Sequence, residues 1–134
     1  MRKLSLLSFI LCLCFSYKVN QYTGKKTSTF FSNKQVFPAT FKEFKNFITK
    51  NLPLKNSKES NQIKAFGQTI TAAAQAYFVH KGNPQFLKDY AWEYNLIDSK
   101  EKNAWCMPGG KIVFYTGILS IAKTPDGITA IFGH

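Results

Sequence analysis

Asn103-Ala104-Trp105-Cys106-Met107-Pro108-Gly109-Gly110-Lys111-Ile112-Val113-Phe114-Tyr115-Thr116-Gly117 is the stretch that decides how the rest of the chain is read. Ala104 to Met107 and Lys111 to Tyr115 are short apolar runs that read as strands. Pro108-Gly109-Gly110 between them is turn chemistry, so the two strands are expected to be joined as a hairpin. Cys106, flanked by Trp105 and Met107, is expected to be a buried small hydrophobe. Downstream, Gly117 to Lys123 fits one or two helical turns. Thr124-Pro125-Asp126 then supplies a capping hydroxyl, a proline at the first helical position and an acid in the first turn. The helix opened there carries Ile128, Ile131 and His134.

Upstream, Tyr90 to Asp98 alternates with aromatic residues and reads as a further strand, followed by the polar turn Ser99-Lys100-Glu101-Lys102. Two helices precede it. Phe37, Phe41, Phe44 and Ile48 recur at helical spacing, with Phe47 widening the stripe, and Pro38 is placed in the first turn. The second helix is expected from about Ser57 to Lys81, with Ile63, Phe66, Ile70, Ala73, Ala74, Tyr77 and Phe78 on its buried face. Gly82 and Asn83-Pro84 stop it. Gly67 is a weak point within that helix, and His80 suits its last turn. The fold class is therefore α+β: amphipathic helices, then a small antiparallel sheet, then the start of another helix.

The chain has 134 residues, enough for one domain or part of one, and 45% of them are hydrophobic, which argues against disorder. Thirteen phenylalanines point to an aromatic core. The formal net charge of +11 is uneven. The lysine excess lies between Tyr17 and Lys81, whereas Gly82 to His134 is balanced. Such a face suits solvent, an anionic membrane surface or an anionic partner. Nucleic acid is not expected as a partner, because no arginine follows Arg2.

Arg2 and Lys3 precede an apolar run from Leu4 to Phe15, too short to span a bilayer and of signal-peptide length. Residues 1–16 are read as that signal, 17–34 as an extended leader and 35–134 as the domain proper. Cys14 is part of a signal cleaved after Ser16, a lipidation site that would tether the chain to a membrane, or part of an uncleaved anchor. The corresponding expectation is export to a bacterial cell envelope, in the periplasm or on a lipid anchor. Cys106 is the one cysteine left for the domain, so no internal disulfide is available there.

Function enters through a resemblance. Trp92 to Asp98, Asn103 to Gly117 and the helix reaching Gly133-His134 together resemble the entry to the catalytic domain of the HtpX/Oma-like zinc metallopeptidases, which are gluzincins. The resemblance implies that His134 is the first histidine of a His-Glu-x-x-His motif and a ligand to one Zn2+ ion. Two histidines at i and i+4 on a helix reach one metal, and the intervening glutamate acts as general base. That glutamate and the other ligands are expected after His134, which makes this chain a catalytically incomplete fragment of a metalloendopeptidase acting on cell-envelope proteins. Asn103, Ala104 and Trp105 are implied to be the edge strand that pairs with protein or peptide substrates. The alternative is a non-catalytic exported pseudo-peptidase, or a protein binding membrane surfaces through its basic face.

Overall fold

The structure is a computed structural model; it describes residues 32–133, together with the backbone of Lys18–Val19 and Lys26–Thr27. The segment 1–16, including Cys14, lies outside the described residues, as does His134. The chain divides into two units, Met1–Ser32 and Asn33–His134. In the first, β1 (Lys18–Val19) and β2 (Lys26–Thr27) pair antiparallel, Lys18 opposite Thr27.

The second unit starts with α1 (Asn33–Lys50). It begins a turn earlier than the sequence suggests, so Pro38 lies inside the helix and leaves the Lys34 carbonyl without its usual i+4 donor. Phe37 and Phe44 are buried as expected, and Phe41, Phe47 and Ile48 are partly buried. Ser57 caps α2 (Lys58–His80) by accepting a hydrogen bond from the Ser60 amide at 3.0 Å. Between these helices Pro53 bridges Ile97, and the Leu54 amide donates to the Leu96 carbonyl at 2.8 Å.

The sheet contains β3 (Glu93–Ile97), β4 (Ala104–Met107) and β5 (Lys111–Tyr115), in the order β3-β5-β4. The hairpin of β4 and β5 is antiparallel, with Ala104 opposite Phe114 and Met107 opposite Lys111. β3 and β5 are parallel, Glu93 opposite Lys111 and Ile97 opposite Tyr115. The sheet is therefore mixed, which corrects the antiparallel expectation. Residues 98–103 carry the chain past the central position, and β5 returns between the other two strands. Burial accounts for that order: Val113 and Phe114 are fully buried and need cover on both faces, whereas β4 tolerates the edge.

α3 (Thr116–Ala122) follows at once, and α4 (Pro125–Gly133) completes the described chain. The Thr124 hydroxyl accepts from the Gly127 amide at 3.1 Å, the cap expected from the sequence. Alternation sends β-strand side chains to two cores. On one face Phe44 of α1 packs with Ile97 and Val113, joined by Trp105, Met107 and Tyr115. On the other, Ile63 of α2 packs with Leu96 and Phe114, joined by Ala104, Ile112 and residues of α3 and α4.

One core feature was not foreseen. Lys111 is buried, its ammonium paired with the Glu93 carboxylate and donating to the Ala91 carbonyl. The same ammonium lies 4.6 Å from the Phe41 ring centroid and 5.7 Å from that of Phe44. Paired charge, a carbonyl and two aromatic faces replace the water that burial removes.

Candidate functional site

The two edges of the sheet are treated differently. Pro53 and Leu54 cover the outer side of β3. β4 has no partner strand on its outer side among the described residues. The Asn103 carbonyl accepts from the Tyr115 amide at 3.1 Å, so Asn103 faces β5. In an antiparallel ladder the next residues alternate, which turns the N–H and C=O groups of Ala104 and Cys106 toward the open edge.

A groove of about 1190 Å³ runs along this edge. Its walls come from β4, from Gly67, Ile70, Thr71 and Ala74 on α2, and from Ala130, Ile131 and Phe132 at the end of α4. Tyr90 and Trp92 close one end, beside Pro108-Gly109-Gly110. Among the described residues lining it Lys102 carries the one ionic side chain, so this part of the groove is apolar with a cationic end. Burial pushes the Tyr90 phenol above its ordinary pKa.

Neighbouring contacts fix the edge in place. Trp105 packs edge-on against Phe47 at 4.8 Å and Phe44 at 6.4 Å, and its indole N–H donates to the Tyr115 hydroxyl at 3.2 Å. The Thr116 hydroxyl accepts from the Ser99 amide at 3.0 Å and lies 2.9 Å from the Ser99 carbonyl, tying the crossing segment to the start of α3. Gly109 and Gly110 both have positive φ, 87° and 84°. A Cβ on Gly110 would stand 2.7 Å from the Trp92 ring, so the turn also seats that indole. The Trp92 indole N–H is buried without a hydrogen-bond acceptor among the described residues.

Asn103, Ala104 and Trp105, singled out from the sequence, all line the groove. Their roles differ: Asn103 turns its backbone inward, Ala104 presents its backbone outward, and Trp105 anchors the strand on α1. Cys106 is exposed rather than buried. Alternation carries it to the α2 face, where among the described residues no helix covers the edge of the sheet. Sequence reasoning missed Cys106, Met107, Tyr90 and Trp92 as groove residues. Extending the same edge-strand logic two positions along β4 would have found the first two.

His134, the expected zinc ligand, lies outside the described residues. Among those residues no group of three or more His, Cys, Asp or Glu side chains is placed to hold a metal. The described part therefore does not by itself make a zinc site. It places the last described turn of α4, immediately before His134, along the same groove as the β4 edge.

Comparison with known proteins agrees with the resemblance. The chain is 38% identical over 48 residues to the mitochondrial metalloendopeptidase OMA1 of Schizosaccharomyces pombe, covering 36% of this chain and 14% of that protein. It is 35% identical over 48 residues to the mitochondrial metalloendopeptidase OMA1 of Arabidopsis thaliana, covering 36% of this chain and 10% of that protein. The match thus spans about a tenth to a seventh of the relatives' length. No solved structure matches. Both relatives are mitochondrial by name, which overturns the placement in a bacterial cell envelope, periplasmic or lipid-anchored. A short basic and then apolar N-terminus records charge and hydropathy, and these do not fix a destination. The model of Peptidase family M48 matches residues 59–134, more than half of the chain, and the chain accordingly belongs to that family.

Proposed function

We propose that the whole protein is a zinc-dependent metalloendopeptidase to which this chain contributes the substrate-pairing strand and the first zinc ligand, His134. One observation carries the reading: the open β4 edge and the last described turn of α4 border one groove. The outward N–H and C=O groups at Ala104 and Cys106 suit an extended peptide, which would add as a further strand with little demand on its sequence. Trp105, held by Tyr115 and the α1 aromatics, keeps that edge at a fixed distance from the sheet core. Zinc would be held in part by His134 and, when bound, would supply Lewis acidity and acidify water. The general-base glutamate and remaining ligands belong to sequence following His134 in the whole protein. By itself the 134-residue chain is expected to be inactive, since one histidine does not set a catalytic geometry.

Reading the gene beyond His134 tests this. Glu-x-x-His directly after it supports the assignment, and a stop codon there removes enzymatic function.

A second reading rests on the basic face. Lys42, Lys45 and Lys50 are exposed on α1, and no helix among the described residues is long and apolar enough to cross a membrane. These lysines suit an anionic membrane surface. Binding to anionic vesicles that falls steeply with salt supports such a role, and binding indifferent to salt and lipid charge removes it.

A further inference from the structure

β4 distributes its side chains unequally by size. Trp105 and Met107 point to the α1 face and pack there. Ala104 and Cys106 point to the other face, where the groove lies. Cys106 stands opposite Ile112, exposed, with Ile112 also in the groove wall. The small Ala104 and Cys106 leave space between the edge and α2, where Ile70 and Ala74 form the far wall.

A strand docked on β4 sends every second side chain into that space. Among the described residues no carboxylate lines it, and Lys102 is the one ionic group there. A large apolar side chain gains by leaving water there. An aspartate away from Lys102 loses hydration without meeting a second cation among the described lining residues. The geometry points to Cys106 as a specificity-determining residue: its small side chain forms the floor of an apolar subsite that selects substrates with large apolar residues at alternate positions. This rests on the reading of β4 as the substrate-pairing edge.

The test uses the full 134-residue chain and blocked extended heptapeptides carrying leucine, alanine or aspartate at alternate positions. The chain has two tryptophans; Trp92 lines the groove, whereas the Trp105 ring packs on the α1 face, so a change in Trp92 fluorescence, read in a Trp105→Phe background, reports occupancy. The leucine peptide is expected to bind roughly ten- to a hundredfold more tightly than the alanine peptide, the aspartate peptide weakest. Cys106→Leu fills the floor and should abolish the leucine preference. Ile70→Ala, which widens the opposite wall, should reduce it. Equal binding of leucine and alanine peptides to the wild type overturns the subsite, while sensitivity of both peptides to backbone N-methylation leaves edge pairing standing. Binding indifferent to N-methylation, or no binding at all, overturns edge pairing and the subsite with it. A leucine preference unchanged in Cys106→Leu overturns the role of Cys106.

Discussion

Tyr94 lays its ring across α2 at Gly67, so closely that a Cβ at position 67 would stand 2.2 Å from Tyr94 Cδ1. The phenol is held on the far side by a hydrogen bond with the Thr71 hydroxyl, and its ring meets Phe132 of α4 at 6.3 Å. Helix propensity alone favours alanine over glycine by about 1 kcal/mol. Here the close approach dominates. Gly67→Ala is expected to destabilise the chain by about 1–3 kcal/mol. Urea unfolding of Gly67→Ala, Tyr94→Ala and the double variant checks this, with the cost of Gly67→Ala shrinking once Tyr94 is gone. A stabilising Gly67→Ala would contradict the contact.

The two tryptophans should respond differently to the same change. Trp105 donates to the Tyr115 hydroxyl, whereas the Trp92 N–H is buried without an acceptor among the described residues. Replacement by phenylalanine removes a made hydrogen bond at one site and an unmade one at the other. Trp105→Phe should therefore cost about 1 kcal/mol more than Trp92→Phe in chemical unfolding. Equal losses would mean that the Trp105 bond contributes nothing net.

Lys111 offers a test of a buried cation. Lys111→Met keeps the apolar stem against Phe41 and Phe44 and leaves Glu93, which is 51% exposed, to water. It should change stability by no more than about 1 kcal/mol. Lys111→Ala loses the stem as well and should cost about 2–4 kcal/mol. Thermal or urea melts of the two variants decide between a packing role and an ionic one. A Lys111→Met loss as large as that of Lys111→Ala would make the charge dominant.

Thr116 ties residues 98–99 to the start of α3. Thr116→Val keeps the shape and removes the hydroxyl, leaving the Ser99 amide without that acceptor. A loss of about 1–3 kcal/mol is expected, together with faster amide exchange at Glu101 to Ala104. Unchanged exchange there would show that the segment leading into β4 is held by other contacts.

Local signals in the sequence were reliable. The hairpin Ala104–Met107 and Lys111–Tyr115, the start of α2 next to Ser57 and the Thr124 cap are all where the residues place them. Each depends on neighbours a few positions away. The parallel pairing of β3 and β5 was not legible, because periodicity identifies strands without ordering them. Lys111 read as an ordinary strand lysine, since its partner Glu93 is 18 residues distant. The α2 stripe was overextended: Ala73 and Tyr77 are exposed. A 23-residue helix is roughly 34 Å long, about twice the length of a five-residue strand, so only part of it finds sheet to cover. In the candidate site, Asn103, Ala104 and Trp105 were legible through the resemblance. Cys106 was misplaced because its own apolarity says nothing of whether a helix covers that edge.

The proposed function assigns two roles to this chain: the β4 edge as substrate-pairing strand and His134 as a zinc ligand of the whole protein. Zinc content and peptide cleavage by the whole protein, compared between wild type and His134→Ala, test it most directly. The expected result is zinc-dependent cleavage in the wild type, with both bound zinc and cleavage lost in His134→Ala. Full cleavage and undiminished zinc in His134→Ala would contradict it.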